Sequence, residues 1–493
     1  MASKELIVAP KVTYGRTAEL APAAWSEPDR GDPLLIRAAS RAGEVRRAVS
    51  RVVHDVRYRP PRRKTAKMLV LIPAHNEEDS IGNVLNALLT QTRVPDRIVV
   101  MADNCTDKTE AIARRFRGVT VMRTVGNTER KVGALNQGWL RWQAGYDYVA
   151  GIDADTILAP DCLQQLEAEL AVTARPGGVM ARYTFDQRLG ASGMARLLIR
   201  MQRLEFASWT ADALKRNRKT YVLGGQCSLF SNDALRAVAD RNQTRGPWDT
   251  STQVEDMQLT GDLKAMKYSA NVSTTARAYA GPMLTLRSLW AQRRKWDEGM
   301  ARLLVRSTVN KWTGTLWRQQ LSLLSNGITR IGFVFLLTAS LMVHQYVWNW
   351  LWAFPPVIAA ILNLKLAWRV PNRSTADLVS AVLLVPVEIY LIMRVACATA
   401  SWVNVLSGIK RDGWARQARA EQGGASGGAA KILGTILLVA VLVGGVVFGW
   451  THAPLLVQRY ILTVGWAGLA IITGLQTLMM VLRILRPTRG LRP

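Results

Sequence analysis

The chain has 493 residues, enough for two or three domains, and its 64 Lys and Arg against 36 Asp and Glu give a formal net charge of +28. Its apolar residues, 49% of the total, crowd into the region after residue 300, which excludes a uniformly soluble protein. The four cysteines, Cys105, Cys162, Cys227 and Cys397, are far apart, which excludes a disulfide framework and a paired-cysteine zinc site.

Residues 1–33 are polar and broken by prolines, without the apolar core of a signal peptide, so the N-terminus is expected in the cytoplasm. Over residues 34–57, Val45, Val49, Val52, Val53 and Val56 recur at helical spacing with Arg46, Arg47 and Arg51 between them. This predicts a basic amphipathic helix that lies on lipid or covers the next domain. Pro60 to Lys64 reads as a linker. Residues 1–65 are therefore a lead with an amphipathic helix.

From Met68 onwards, strands and helices alternate. Strands are predicted at 68–72, 97–101, 119–122 and 148–152, and helices at 80–89, 109–116 and 131–144. Short apolar strands alternating with helices predict an α/β domain with a mostly parallel sheet, here over residues 66–300. In such sheets ligands sit beyond the C-terminal strand ends. His75-Asn76-Glu77, Asp103 and Asp153 all follow predicted strands.

Residues 301–493 hold four apolar stretches near 320–345, 347–368, 432–452 and 460–482, each near the ~20 residues that a membrane span needs. Lys365, Arg369 and Arg373 follow the second, Lys410, Arg411, Arg416, Arg419 and Lys431 precede the third, and Arg483, Arg486, Arg489 and Arg492 follow the fourth. The positive-inside rule puts these groups in the cytoplasm, giving two hairpins with both termini inside. Residues 376–406 are apolar but contain Asp377, Pro386, Glu388 and Arg394; a fifth crossing would put a basic cluster on the wrong side. An interfacial or re-entrant helix is expected there. The net charge then suits a membrane-surface protein, each Lys or Arg near an anionic leaflet contributing ~1 kcal/mol. No nucleic-acid-binding module is recognisable, so no nucleic-acid partner is expected.

Several residues in 66–300 carry chemistry. Asp153-Ala154-Asp155 puts two carboxylates on a turn after a strand, where they can hold one divalent cation against a diphosphate or simply make a turn. Hard oxygen ligands suit Mg2+ or Mn2+. Asp103 can accept from a base or ribose. Lys131 opens a helix and can neutralise phosphate. Gly224-Gly225 lets a ligand approach the backbone, or makes a turn. Glu255-Asp256 at a helix start can supply a general base or only complement the helix dipole. Gln292-Arg293-Arg294-Lys295-Trp296 offers cations and an indole face.

The ordered set Ile72 to Glu78, Asp103, Lys131 to Asn136, Asp153-Ala-Asp155, Gly224-Gly225, Glu255-Asp256 and Gln292 to Trp296 resembles glycosyltransferase family 2, over about residues 68–300. It is most similar to the membrane-bound processive branch of cellulose, chitin, hyaluronan and poly-N-acetylglucosamine synthases. The resemblance implies a GT-A (Rossmann-like) fold followed by an α-helical transmembrane region. It implies inverting transfer from a nucleotide sugar, usually a UDP-sugar, to a growing β-linked polysaccharide. Asp103, Lys131, Asp153, Arg293 and Arg294 would then bind the donor nucleotide and Asp155 the metal. Asp256 would be the base, with Glu255 beside it, and Gly224, Gly225, Gln292 and Trp296 would border the acceptor. Single-sugar transfer to a lipid or protein, or an inactive receptor or scaffold on this fold, are the alternative readings. The chain departs from the family in carrying Lys295 where Gln-x-x-Arg-Trp has Arg, in lacking the Phe-x-Val-Thr-x-Lys loop, and in showing no span before residue 66. Lys410-Arg-Asp-Gly-Trp414 lies where a Trp-containing gating segment is expected. Four spans are few for a complete channel, which leaves room for a second copy or an export partner.

Overall fold

Met68–Ala74 is an uninterrupted apolar run, and every one of its residues is buried. A strand covered on both faces has no polar side to show, which is why the sequence does not alternate there. In this computed structural model, which describes residues 66–186, 192–345, 349–409, 412–421 and 441–486, that strand is β1 near the middle of an eight-stranded sheet. The others are β2 (Arg97–Ala102), β3 (Val119–Arg123), β4 (Tyr148–Ile152), β5 (Ile157–Leu158), β6 (Pro176–Phe185), β7 (Cys227–Ser231) and β8 (Ser269–Ala280), in the order β3-β2-β1-β4-β7-β6-β8-β5.

The four strands predicted from the sequence pair in parallel, as expected. The rest of the sheet differs from a mostly parallel one. β7 runs antiparallel to both β4 and β6, and β5 antiparallel to β8. Helix Ile81–Leu89 buries Ile81, Val84, Leu85 and Leu88, a single helical face, against one side of the sheet. Arg130–Trp142 buries Val132, Leu135 and Trp139 on the other.

After the sheet, Leu286–Arg306 starts from a capping box between Thr285 and Ser288. Among the described residues, four helices are long and apolar enough to cross a membrane: Lys311–Met342, Trp350–Ala367, Leu384–Leu406 and Leu455–Leu485. Three match expected spans. Lys311–Met342 begins well before the apolar stretch, because Asn310 caps it with a box through Thr313. Its first turn packs under the sheet domain, where Trp312 Nε1 donates to Tyr221 O at 3.0 Å.

The stretch expected to lie in the interface is split into helices Thr375–Val382 and Leu384–Leu406. The second meets the length of a span, yet Arg394 in its middle turns inward onto Asp297 and Glu205. Val385, Ile389, Ile392 and Val403 face outward. Of the expected 432–452 span, only Val441–His452 falls among the described residues, where it is a short apolar helix. The amphipathic helix expected over 34–57 also lies outside them.

Candidate active site

Three parallel strands end side by side. Ala74 lies opposite Ala102, and Leu71 opposite Gly151, so the turns after β1, β2 and β4 project from one edge. His75, Glu77, Asp103, Asp153 and Asp155 leave from those turns. Two returning strands complete the edge. Antiparallel pairing sets Cys227 opposite Ile152, which delivers Gly224 and Gly225 beside Asp153. Tyr279 lies opposite Ile157, which brings Gly281 back to Asp155. A Cβ on Gly281 would meet Asp155 Oδ2 at 2.5 Å, so only glycine permits this approach.

Asp103 is buried, and its Oδ1 accepts from Asn127 Nδ2 at 2.7 Å, Thr124 Oγ1 at 2.8 Å and Asn104 Nδ2 at 3.2 Å. Three donors on one oxygen fix the direction of the carboxylate. Lys131 Nζ stands 2.5 Å from Asp153 Oδ1 and 4.0 Å from Glu255 Oε1. Burial alone would lower the Lys131 pKa, but Asp153, Asp256 and Glu255 more than offset it, so the ammonium stays charged. Asp256 Oδ2 accepts from the Gly225 N–H at 2.7 Å. Burial first, then Glu255 and Asp153, push Asp256 up to about 7, with Lys131 pulling the other way. Burial and Asp153 likewise raise Asp155 to about 6, and burial and Asp155 raise Glu77 to about 7.

A side chain at Gly225 or Gly281 would therefore have to displace charged groups of the cluster. A Cβ on Gly225 would collide with Lys131 Nζ and sit 3.0 Å from Asp256 Oδ2. We expect Gly225→Ala to lower turnover about 100-fold by displacing Asp256 or Lys131, since a shift near 1 Å can cost that much. Steady-state rates, with circular dichroism to show an intact fold, check this; turnover within threefold of wild type would contradict it.

Asp153, Asp155 and Glu77 gather negative charge of the kind that suits a cation. The raised pKa values of Asp155 and Glu77 mean that their buried negative charge lacks compensation. Among the described residues no group of three or more His, Cys, Asp or Glu could hold a metal by itself. Mg2+ and Mn2+ do not need one, because such ions are commonly held by one or two carboxylates plus substrate phosphates and water. The donor set fits that mode.

The Gln292–Trp296 segment divides by helical geometry. Residues three and four apart share a helix face. Gln292, Lys295 and Trp296 line the cavity above the carboxylates. Arg293 and Arg294, expected at the donor diphosphate, do not line it. Arg293 is fully buried, and its Nη2 and Nε donate to Glu205 Oε2 at 2.8 and 3.1 Å. Its guanidinium lies 4.5 Å from the Trp296 ring centroid, so it braces the indole. Arg294 Nη2 donates to Ala400 O on the Leu384–Leu406 helix at 3.2 Å. The cation that faces the cavity is Lys295, the residue that departs from the family pattern. Its Nζ lies 3.1 Å from the Trp414 ring centroid, and burial holds its pKa down to about 8. Asp412 pairs with Arg130, which pins the start of the Gly413–Glu421 helix beside the cavity.

Sequence reasoning gave no role to Glu205, Trp209 or Tyr183, which also line this space. Glu205 accepts from Arg293, from Arg394 Nε at 3.0 Å and from Tyr390 Oη at 2.6 Å, while Asp297 accepts from Arg394 Nη1 at 2.9 Å. Trp209 and Phe206 each lie 6.3 Å from Trp296, centroid to centroid. Glu205, Phe206 and Trp209 sit on the Gly193–Lys215 helix and Tyr183 on β6, neither of which carries a motif, so only the fold brings them in. The cavity is large, about 2220 Å³. It continues from the carboxylates between the apolar helices, where Gln320, Asn326, Thr329, Glu388 and Gln476 line it with Trp317.

Residues 69–239 match the family described as "Glycosyl transferase family 2". The poly-beta-1,6-N-acetyl-D-glucosamine synthase of Staphylococcus aureus (strain MSSA476) is 28% identical over 249 residues, covering 48% of this chain and 55% of the relative. The synthase of the same name from Staphylococcus epidermidis is 26% identical over 242 residues, with the same coverage. The chain thus spans about half the length of the curated relatives it matches. A mannosyltransferase from Pyrobaculum calidifontis, solved with GDP-Man and Mn2+, aligns with a TM-score of 0.41 at 17% identity, over 70% of this chain and 88% of that one.

Proposed function

We propose that the whole chain is a membrane-integrated inverting glycosyltransferase that extends a β-linked polysaccharide from a nucleotide sugar, with the sheet domain, whose residues 69–239 match glycosyl transferase family 2, as its catalytic domain of GT-A fold. One observation carries the proposal. The Lys131, Asp153, Asp155, Glu255 and Asp256 cluster opens into a single cavity that passes Trp296 and runs on between apolar helices. A small acceptor would need no such continuation. The likeness to poly-N-acetylglucosamine synthases supports a UDP-sugar donor, with UDP-N-acetylglucosamine the first to test.

The chemistry follows from the side chains. Asp103, fixed by its three donors, accepts from the nucleoside. Lys131 holds phosphate oxygens and stays protonated between its carboxylates. Asp256 takes the proton of the acceptor hydroxyl as its oxygen attacks the sugar C1 from the face opposite the diphosphate. The C1–oxygen bond to the diphosphate breaks, and the configuration inverts. Asp155 would hold Mg2+ or Mn2+, which would supply positive charge for the departing diphosphate. Trp296, with Trp209 beside it, gives the acceptor ring an apolar face, and Lys295 provides a cation at its edge.

The membrane arrangement is two hairpins with the catalytic domain on the cytoplasmic side. The Leu384–Leu406 helix lies in the interface, charged face on the enzyme and apolar face outward. Accessibility labels at residues 421–428 and near residue 490 test this; labels on opposite sides would refute it.

The deciding experiment is release of nucleoside diphosphate by the detergent-solubilised chain across a panel of UDP-sugars, with products run on a sizing gel. We expect one UDP-sugar to turn over and to give long products. A single added sugar would point to transfer without polymerisation. Chelation with EDTA is expected to abolish turnover, and Mg2+ or Mn2+ to restore it. Asp155→Ala should raise the metal concentration needed for half-maximal rate by at least ~10-fold, by analogy with the loss on removing a metal-site partner. Undiminished turnover in EDTA would remove the metal from the scheme.

A further inference from the structure

A second, much smaller chamber of about 30 Å³ lies where the C-terminal end of β6 meets the loop after the Phe354–Ala367 helix. Tyr183 separates it from the large cavity and borders both. Besides Tyr183, its polar lining is Arg182, Thr184, Arg203, Thr210 and Arg369. Arg182, Thr184 and Arg203 are all at least nine-tenths buried, at 9%, 5% and 4% exposure. Arg182 Nε, Thr184 Oγ1 and Arg203 Nε are nonetheless without a hydrogen-bond partner. Buried donors of this kind are rarely left unsatisfied, and each calls for an explanation.

The charge balance sharpens the point. Arg203 is balanced: it lies 3.5 Å from Asp377 Oδ2, and its Nη atoms donate to the carbonyls of Phe185, Pro371 and Asn372. Among the described residues, Arg182 donates to the Thr274 carbonyl at 3.1 Å and pairs with no carboxylate. In the β6–β8 register it lies directly opposite Arg277, a like-charge pair that is unfavourable by itself. Burial, Arg277 and Arg369 hold its pKa down to about 10. Three arginines thus line the chamber, and among the described residues only Arg203 of them is paired with a carboxylate.

We propose that this chamber is an oxyanion site, separate from the nucleotide site, that takes the terminal oxygens of one phosphate group. Arginine forks suit phosphate oxygens. One water-sized group needs ~10–15 Å³, so the space admits about two oxygens and leaves the rest of the phosphate outside. The site follows directly after an apolar helix, so its ligand is either the phosphate of an anionic lipid headgroup or free phosphate.

The test uses the full-length chain and its thermal unfolding midpoint. In neutral detergent, inorganic phosphate is titrated against chloride at constant ionic strength. In nanodiscs, phosphatidylcholine is compared with the same lipid containing phosphatidylglycerol. We expect a saturable rise of several degrees in one arm at least, lost in Arg182→Gln and in Arg369→Gln, with turnover in phosphatidylcholine unchanged. A rise with phosphate assigns a free anion; a rise with phosphatidylglycerol alone assigns a headgroup. Arg369 is half-buried, so Arg369→Gln carries the comparison where Arg182→Gln fails to fold. No rise in either arm, or a rise that survives Arg369→Gln, overturns the site.

Discussion

Asp256→Asn is expected to reduce turnover by about 10²–10⁴-fold, the usual contribution of a positioned general base, while the affinity for UDP changes less than threefold. The amide is nearly isosteric, and its oxygen can still accept from the Gly225 N–H, which now meets Asp256 Oδ2 at 2.7 Å. The fold and the donor pocket therefore survive, and only proton removal is lost. Isothermal titration with UDP, set beside the rate of UDP release, separates the two. Normal turnover in Asp256→Asn would show that another group is the base.

The same residue sets a pH dependence. A base works only when deprotonated. Burial and the neighbouring carboxylates raise Asp256 to about 7, so it gains a proton as pH falls through that value. The kcat/KM of the free enzyme should therefore fall tenfold per unit below about pH 7 and level off above it. A profile flat down to pH 5 would contradict the assignment.

The second large effect is on stability. Glu205 accepts from Arg293, Arg394 and Tyr390, and so joins the Leu286–Arg306 helix to the Leu384–Leu406 helix. Removing one partner of a buried ion pair leaves its mate uncompensated and costs about 3–5 kcal/mol. We expect Glu205→Ala to lose that much in detergent unfolding. Glu205→Met combined with Arg293→Met should recover most of it, because both charges leave together. Acceptor use should not recover, since the Arg293 guanidinium braces Trp296. The readout is a raised KM for an oligosaccharide acceptor with donor affinity unchanged. An Ala variant as stable as wild type would deny the network its structural role.

Much of this site was legible in one dimension. Strand ends are readable from apolar runs, and ligand groups follow strand ends, so Asp103, Asp153 and Asp155 stand where the pattern put them. Glu255 and Asp256 open a helix as expected. Membrane helices announce themselves because lipid demands long apolar runs. The Gln292–Trp296 segment marks the limit. Its composition offered three cations, but a helix shows any ligand only one face. Lys295 took that face, and Arg293 and Arg294 turned to Glu205 and Ala400.

The sequence by itself determined the chemistry: which carboxylates, which lysine and which indole are available, and that apolar helices follow them. Local pattern suffices for that, because strand, turn and helix signals act over a few residues. Tertiary structure alone decided which groups meet. Antiparallel β7 brings Gly225 to Lys131 and Asp256, and β8 returns Gly281 to Asp155. Glu205 meets Arg394, which lies 189 positions further along the chain. Such contacts depend on register and helix rotation, which are set by the packing of the whole core and leave no trace in neighbouring residues.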